Sequence, residues 1–439
     1  MPVFTIRHAL IFIHESMVSM IDNTPLIPPE LFDILAPDQQ VLRNLAGEVA
    51  SLAALPVEAE KRLLWKAHNA LQPTRPVVFC DPEVGWGEIV REDALQCQNP
   101  LARQVERYLR MIVFWGTDML DDRPIDPYLA LPCFSEPPFW GLKEIRHGGE
   151  DGGSYVWESP VKGEEDLQKL HHPLIRVDFD GHQKLVEQLN AIFGDLLPVQ
   201  ARYHWWWTLG LSDTLAHLRG LEQIMYDMSD RPQLIHRLMS LLRDGTLAML
   251  DELEAKGLLS PNYDTSYVGS GGFGLIDDLP QPDFSGKVRT FDMWGFAESQ
   301  ETVGISPRMF EEFIFPYQLP ILERFGLNCY GCCEPLDKRW NIVKQFPRLR
   351  RVSISPWANR ARMAANLEDR YIYSLKPKPA DLAMEYFDEA RLRSEIREDL
   401  AITRDCRVEV IMKDVTTLRH DPQRAIRWVR IVREEAEQI

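Results

Sequence analysis

The chain has 439 residues, 45% hydrophobic and 26% charged, the composition of an ordinary globular protein with ample material for a large core. A formal net charge of −17 disfavours nucleic acid and anionic membranes, partners that bind by releasing counterions. No apolar run reaches the ~18–20 residues of a membrane span, the N-terminal HALIFIHESMV is broken by His14 and Glu15 with no small-residue cleavage site behind it, and the seven cysteines lack framework spacing, so a reducing cytoplasm is expected.

Residues 1–37 read as loosely organised, with a helix-breaking TPLIPPE stretch. Residues 38–125 read as a helical extension, because VLRNLAGEVASLAAL, EAEKRLLWKAHNAL and LARQVERYLRMIVFW carry apolar residues at helical spacing. Only the short PTRPVVFCDPE interrupts them with a strand-like run. From Asp126 the texture changes to short apolar runs alternating with amphipathic helices, the pattern of a parallel sheet. Strands are expected at 128–134, 196–202, 262–268, 288–294, 327–331, 350–355, 371–376 and 407–413. Eight strands with helices between them predict a (β/α)8 TIM barrel over 126–439, and the Gly- and charge-rich 139–172 a loop-rich excursion after the first strand.

Chemistry on such a barrel sits at the C-terminal strand ends, and nearly every predicted end carries a polar or aromatic group. His204 and the Trp205-Trp206-Trp207 run follow the second strand; Asp264, Ser266, Tyr267 and a GSGGFG stretch belong to the third. The fourth ends in Asp292, Trp294 and Glu298, the fifth in Cys332, Cys333 and Glu334, and the sixth in Ser355 and Trp357. Lys376 and Lys378 close the seventh, Lys413 and Asp414 the eighth. The expected catalytic set is Cys332, Glu334, Asp292 and Asp414, with His204, Trp206, Trp294, Glu298, Ser355, Trp357 and Lys376 binding substrate. For any single one of Asp264, Asp292 and Asp414 a helix cap serves equally well. GSGGFG lacks phosphate-loop spacing and reads as a flexible loop. Three adjacent indoles cannot all face one way on a strand, so at least one is expected to line a pocket.

Two thiols followed by a carboxylate, Cys332-Cys333-Glu334, are ligand types that zinc accepts. Strand alternation predicts that Cys332 faces the cavity and Cys333 packs behind the strand.

GLEQIMYDMSDRPQLIHRLM, DMWGFAESQETVGISPRMFEEFIFPYQLPILERFG, LNCYGCCEPL and VEVIMKD together resemble the uroporphyrinogen decarboxylase-like superfamily, in the branch near the corrinoid-dependent methyltransferases. The resemblance spans 195–439 and, more loosely, 40–194. It implies a (β/α)8 barrel and one of two chemistries. The methyltransferase members hold zinc through His-x-Cys at this strand end and a later cysteine. Here the triplet is Tyr330-Gly331-Cys332, so only Cys332 matches, with Cys333 or Glu334 to complete a variant site. A methyl group would then pass between a corrinoid on a partner protein and a small substrate. The alternative is a metal-independent decarboxylase in which Asp292 or Asp414 protonates a carbanion while Lys376 or Lys413 holds a carboxylate. The tetrapyrrole enzymes' N-terminal arginine motif has no counterpart in YLALPCFSEPP. A non-catalytic barrel that binds a cofactor or partner is the third reading, and the density of ionisable strand ends speaks against it.

Overall fold

The computed structural model describes residues 27–148 and 155–438, so most of the loosely organised N-terminal segment lies outside the described residues. Eight parallel strands alternate with helices along the chain. Six form one sheet in the order β1 (Val77–Cys80), β12 (Arg407–Met412), β11 (Ile372–Leu375), β10 (Leu349–Ile354), β9 (Leu327–Tyr330) and β8 (Trp294–Ala297). A separate parallel pair joins β2 (Leu129–Pro132) to β5 (Val199–Arg202). Two short antiparallel hairpins complete the set, β3 (Ile145–Gly148) with β4 (Tyr155–Glu158), and β6 (Tyr267–Val268) with β7 (Gly272–Phe273).

The main strands are short and buried along their length, β1, β8, β9 and β11 without exception. That is the signature of parallel strands covered on both faces, and it explains their unbroken apolar texture. Helices start where the sequence offers an acceptor or a proline: Asn99, Ser306, Asn359 and Asp388 cap theirs through the side chain. The 25-residue helix Pro232–Lys256 opens on a proline and stops at Gly257, whose φ of +68° is the left-handed C-terminal conformation. Among the described residues no helix is long and apolar enough to cross a membrane.

Three predicted elements differ. Val77–Cys80, expected as a strand-like interruption of the helical extension and not as a barrel strand, is an integral member of the sheet: it pairs with β12 from Val77↔Glu409 to Cys80↔Met412. Residues 262–268 do not join the six-stranded sheet, and only Tyr267–Val268 is a strand, paired with β7. Instead the Asn262 side chain reads the free edge of β8, accepting from the Trp294 amide and donating to the Trp294 carbonyl at 2.9 Å each. Strand β8 begins only at Trp294, because the Asp292 carboxylate accepts from the Arg289 amide and winds Thr290–Asp292 into a 3-10 turn.

The other free edge is handled the same way. Asp122 donates its amide to the Val78 carbonyl at 2.9 Å and its carboxylate accepts from the Val78 amide, while the Asp121 carboxylate accepts from Cys80. Both edges of the six-stranded sheet are thus closed by side chains and loops, which satisfies the backbone without a further ladder.

The β6–β7 hairpin lies on one face of this sheet and touches both of its edges. Phe273 packs on Phe79 of β1 at 4.9 Å between ring centroids, and the next residue, Gly274, accepts the Trp294 indole N–H of β8 at 3.0 Å. In a flat sheet those edge strands would stand roughly 24 Å apart, five spacings of about 4.8 Å. The sheet therefore curls around the hairpin. The GSGG segment expected as a flexible loop is this plug, buried from Ser270 to Gly274.

Candidate functional site

All main strands run parallel, so their C-terminal ends converge at one end of the curled sheet. After β9 the chain turns at Gly331, with φ +92°. The turn is held from inside: Glu334 is buried and accepts the Ser299 amide on Oε1 at 2.8 Å and the Cys332 amide on Oε2 at 2.9 Å. Ser353 of β10 donates to the Cys332 carbonyl at 3.1 Å, and Ser270 of the plug donates to Ser353 at 3.0 Å. Burial pushes the Glu334 carboxyl up.

Because the chain turns at Gly331, strand alternation stops there. Cys333 does not pack behind the strand; it is exposed, its Sγ 3.7 Å from that of Cys332 and 3.9 Å from Asp414 Oδ2. The Cys332 thiol is pushed well up by the adjoining Cys333 sulfur, by burial, and by Glu334 and Asp414, so it stays protonated at neutral pH.

The ends of β11, β12 and β1 add an ion-rich wall. Lys376 is buried and donates to Ser374 Oγ at 2.7 Å. Burial lowers its ammonium to about 8; Glu409 and Cys332 pull the other way, while Lys413 and Arg351 add to the lowering. Lys413 pairs with Glu83 at 3.0 Å, and Glu83 accepts the Asp414 amide at 3.1 Å. Burial raises the Glu83 carboxyl to about 7 against the attraction of Lys413, with Asp81 and Asp414 contributing. Asp81 accepts from Trp86 Nε1 at 2.8 Å and from the Tyr267 hydroxyl at 2.6 Å. Glu83 and Asp81 escape a sequence reading that assigns their segment to a helical extension. The signal that could have found them is CDPE, a buried apolar run ending in acids, the same pattern as the other strand ends.

Beneath this wall Arg351 Nε meets Glu409 Oε1 at 3.0 Å, both fully buried. Ser374 donates to the same Glu409 oxygen at 2.5 Å, and Arg351 also donates to Asn69 Oδ1 at 2.6 Å. Burial alone would raise the Glu409 carboxyl, but Arg351, then His68 and Lys376, hold it well below the usual carboxylate range.

The remaining expected residues divide. Glu298 does reach the C-terminal end, but buried: Oε2 accepts the Gln300 amide at 2.9 Å, and burial with Glu301 and Glu334 nearby pushes its carboxyl well up. Ser355 is buried and accepts the Trp357 amide at 3.1 Å, closing a turn, while the Trp357 ring is 77% exposed. His204 is exposed just beyond β5. Trp206 packs edge-on to Phe325 in the main core. The half-buried ring on the Cys332 side is Trp207, against Phe296. Asp292 and Trp294 do not join the site. Asp292 precedes β8 and so lies at the opposite end from Cys332, tied at 2.9 Å to Arg289 Nε, and Trp294 is a buried core ring.

The residues present do not fit zinc. Both Glu334 oxygens are taken by amides, Tyr330 is no metal-binding imidazole and donates its hydroxyl to Gln318 at 2.8 Å, and among the described residues no three His, Cys, Asp or Glu side chains converge to hold a metal. Replacing Glu334 by Ala strands two buried amides, so the turn should lose about 2 kcal/mol. Urea unfolding measures this, and faster labelling of the Cys332–Cys333 pair by a thiol reagent should accompany it.

No family model matches the chain, and no curated protein matches it. Among solved structures it is similar to a methyltransferase from Methanosarcina mazei, at 10% identity over 86% of this chain and 97% of that one, with a TM-score of 0.46.

Proposed function

We propose that this chain is an enzyme that acts on a small carboxylated substrate at the C-terminal end of the curled sheet by metal-independent acid–base chemistry, a carboxy-lyase. The observation that carries this is the buried Lys413–Glu83 ion pair at this strand end, with Lys376 on the other side of Lys413: burial lowers the Lys376 ammonium to about 8 and raises the Glu83 carboxyl to about 7. The Lys376 ammonium holds the substrate carboxylate. The bond from carbon to the departing carboxylate breaks, carbon dioxide leaves, and the electron pair left on carbon takes a proton from Glu83. Glu83 takes the acid role expected of Asp292 and Asp414. In the same reading β2 and β5 fill the gap between β1 and β8 to make an eight-stranded (β/α)8 barrel, which the curl of the sheet and the chain order of its strands support.

The test is carbon dioxide release from a panel of small carboxylates, with ligand affinity followed against pH. Only protonated Lys376 attracts the anion, so affinity is full below pH 8, falls about tenfold per pH unit above it and levels off once the contribution of the charge is gone. Lys376→Met should weaken binding about 10–100-fold, the worth of a charged hydrogen bond, and remove the pH dependence. Affinity that is flat across pH 8 and unchanged in the variant would sink the assignment.

A second reading, methyl transfer between a corrinoid on a partner protein and a small substrate, is favoured by one feature: the exposed Cys333 thiol beside Asp414. It predicts methyl exchange with a methylated corrinoid protein that Cys333→Ser abolishes, and no carbon dioxide.

A further inference from the structure

We infer that Cys332 and Cys333 form a covalent capture site for a trivalent thiophilic centre of the arsenical class. The inference does not rest on the proposed decarboxylation. Neighbouring cysteines usually diverge, because successive side chains of an extended chain point to opposite faces. Here the turn at Gly331 brings both sulfurs to one side, 3.7 Å apart. That is non-bonded contact, well beyond the ~2.05 Å of a disulfide, and one atom can bridge it. The backbone that presents the pair is fixed on three sides. The Cys332 amide donates to Glu334, its carbonyl accepts from Ser353, and Ser353 is backed by the plug's Ser270. Access is open, since Cys333 is exposed and Cys332 partly so. Of the other five cysteines four are buried, and Cys406 sits alone against the Ala364 carbonyl.

The chemistry needs two thiols and no thiolate. An arsenical of the form R–As(OH)2 meets two S–H groups; both As–O bonds and both S–H bonds break, two As–S bonds form, and two waters leave. No electron is transferred, so no oxidant is required, and Asp414, 3.9 Å from Cys333 Sγ, is placed to take the proton from that thiol and pass it to the departing hydroxide, which leaves as water. A zinc ion would need ligands beyond this pair, as the site does not provide; a three-valent centre that brings its own third substituent does not.

Phenylarsine oxide is the probe, titrated against the full-length reduced protein and followed by intact-mass spectrometry. One equivalent should bind, resist a monothiol and be released by a dithiol such as 2,3-dimercaptopropanol. Cys333→Ser and Cys332→Ser should each weaken capture by about 10²–10⁴-fold, the loss expected when the second bond is no longer intramolecular. Cys406→Ser should leave it unchanged. Binding that survives Cys333→Ser, or that a monothiol reverses as readily as a dithiol, would overturn the assignment. Because Cys333 is exposed, its variant reports on the site without endangering the fold.

Discussion

Replacing either member of the Arg351–Glu409 pair alone, Arg351→Met or Glu409→Leu, should lower the unfolding free energy by about 3–5 kcal/mol, because each change leaves the other charge buried without its partner. Both side chains lie on the face that the plug covers: Arg351 faces the Trp294 ring at 5.2 Å from its centroid and donates to the Phe273 carbonyl at 3.2 Å. The double variant Arg351→Met with Glu409→Leu should recover most of that loss, since two packed apolar groups avoid the cost of drying two charges. Urea unfolding of the three variants decides it, and single changes costing under about 1 kcal/mol would show the pair to be wetter than its burial implies. A second consequence reaches the candidate site. Glu409 raises the Lys376 ammonium, so its removal should move the fall in anion affinity to a pH below 8.

The glycines of the plug carry the next largest effect. A Cβ added at Gly274 would stand 1.7 Å from the Asn262 carbonyl oxygen, and one at Gly272 would stand 2.5 Å from Arg351 Cζ. Neither neighbour can yield cheaply: the first is backbone and the second is the buried guanidinium. Gly274→Ala should therefore cost about 3 kcal/mol or more, the upper range of overpacking, and Gly272→Ala nearly as much. Near-ultraviolet circular dichroism should report it, because the Trp294 indole donates to the Gly274 carbonyl. Gly87→Ala is the control: nothing lies within 4 Å of its added Cβ, and its stability should change by no more than about 0.5 kcal/mol. A Gly274→Ala protein as stable as the control would show that the hairpin is not the filling of the sheet.

The strands that sequence alone identifies are those whose burial is complete. LNCY, VSI, IYSL and VEVIM read as strands because both faces are covered and nothing polar interrupts the register except residues that bond inward. The misreadings share a cause. Val77–Cys80 reads as strand-like, but its place in the sheet comes from β12, a partner some 330 residues away, and four apolar residues after a helical stretch do not announce that pairing. Residues 262–268 carry strand-like aromatic and polar alternation, but Asn262 is spent on edge bonds to β8 and Tyr267–Val268 on the pairing with β7. Asp292 belongs to the start of a strand rather than its end, a shift of a few residues that carries a carboxylate to the far side of the sheet.

What the sequence determined by itself is therefore local: the alternation of helix and buried strand, the caps at Ser306, Asn359 and Asp388, and a dense set of ionisable residues, Cys332 to Glu334, Lys376 and Lys413–Asp414, at strand ends. These follow from periodicity, capping and turn chemistry, which act over a few residues. Tertiary structure alone decided that the glycine stretch 269–272 fills the sheet, that Glu83 joins Lys413, and that both thiols face one way. Each of these depends on long-range approach or on a single backbone dihedral, as at Gly331. The protonation of Lys376 and Glu83 likewise depends on which charges the fold brings near them and how much water it removes, quantities that no stretch of sequence contains.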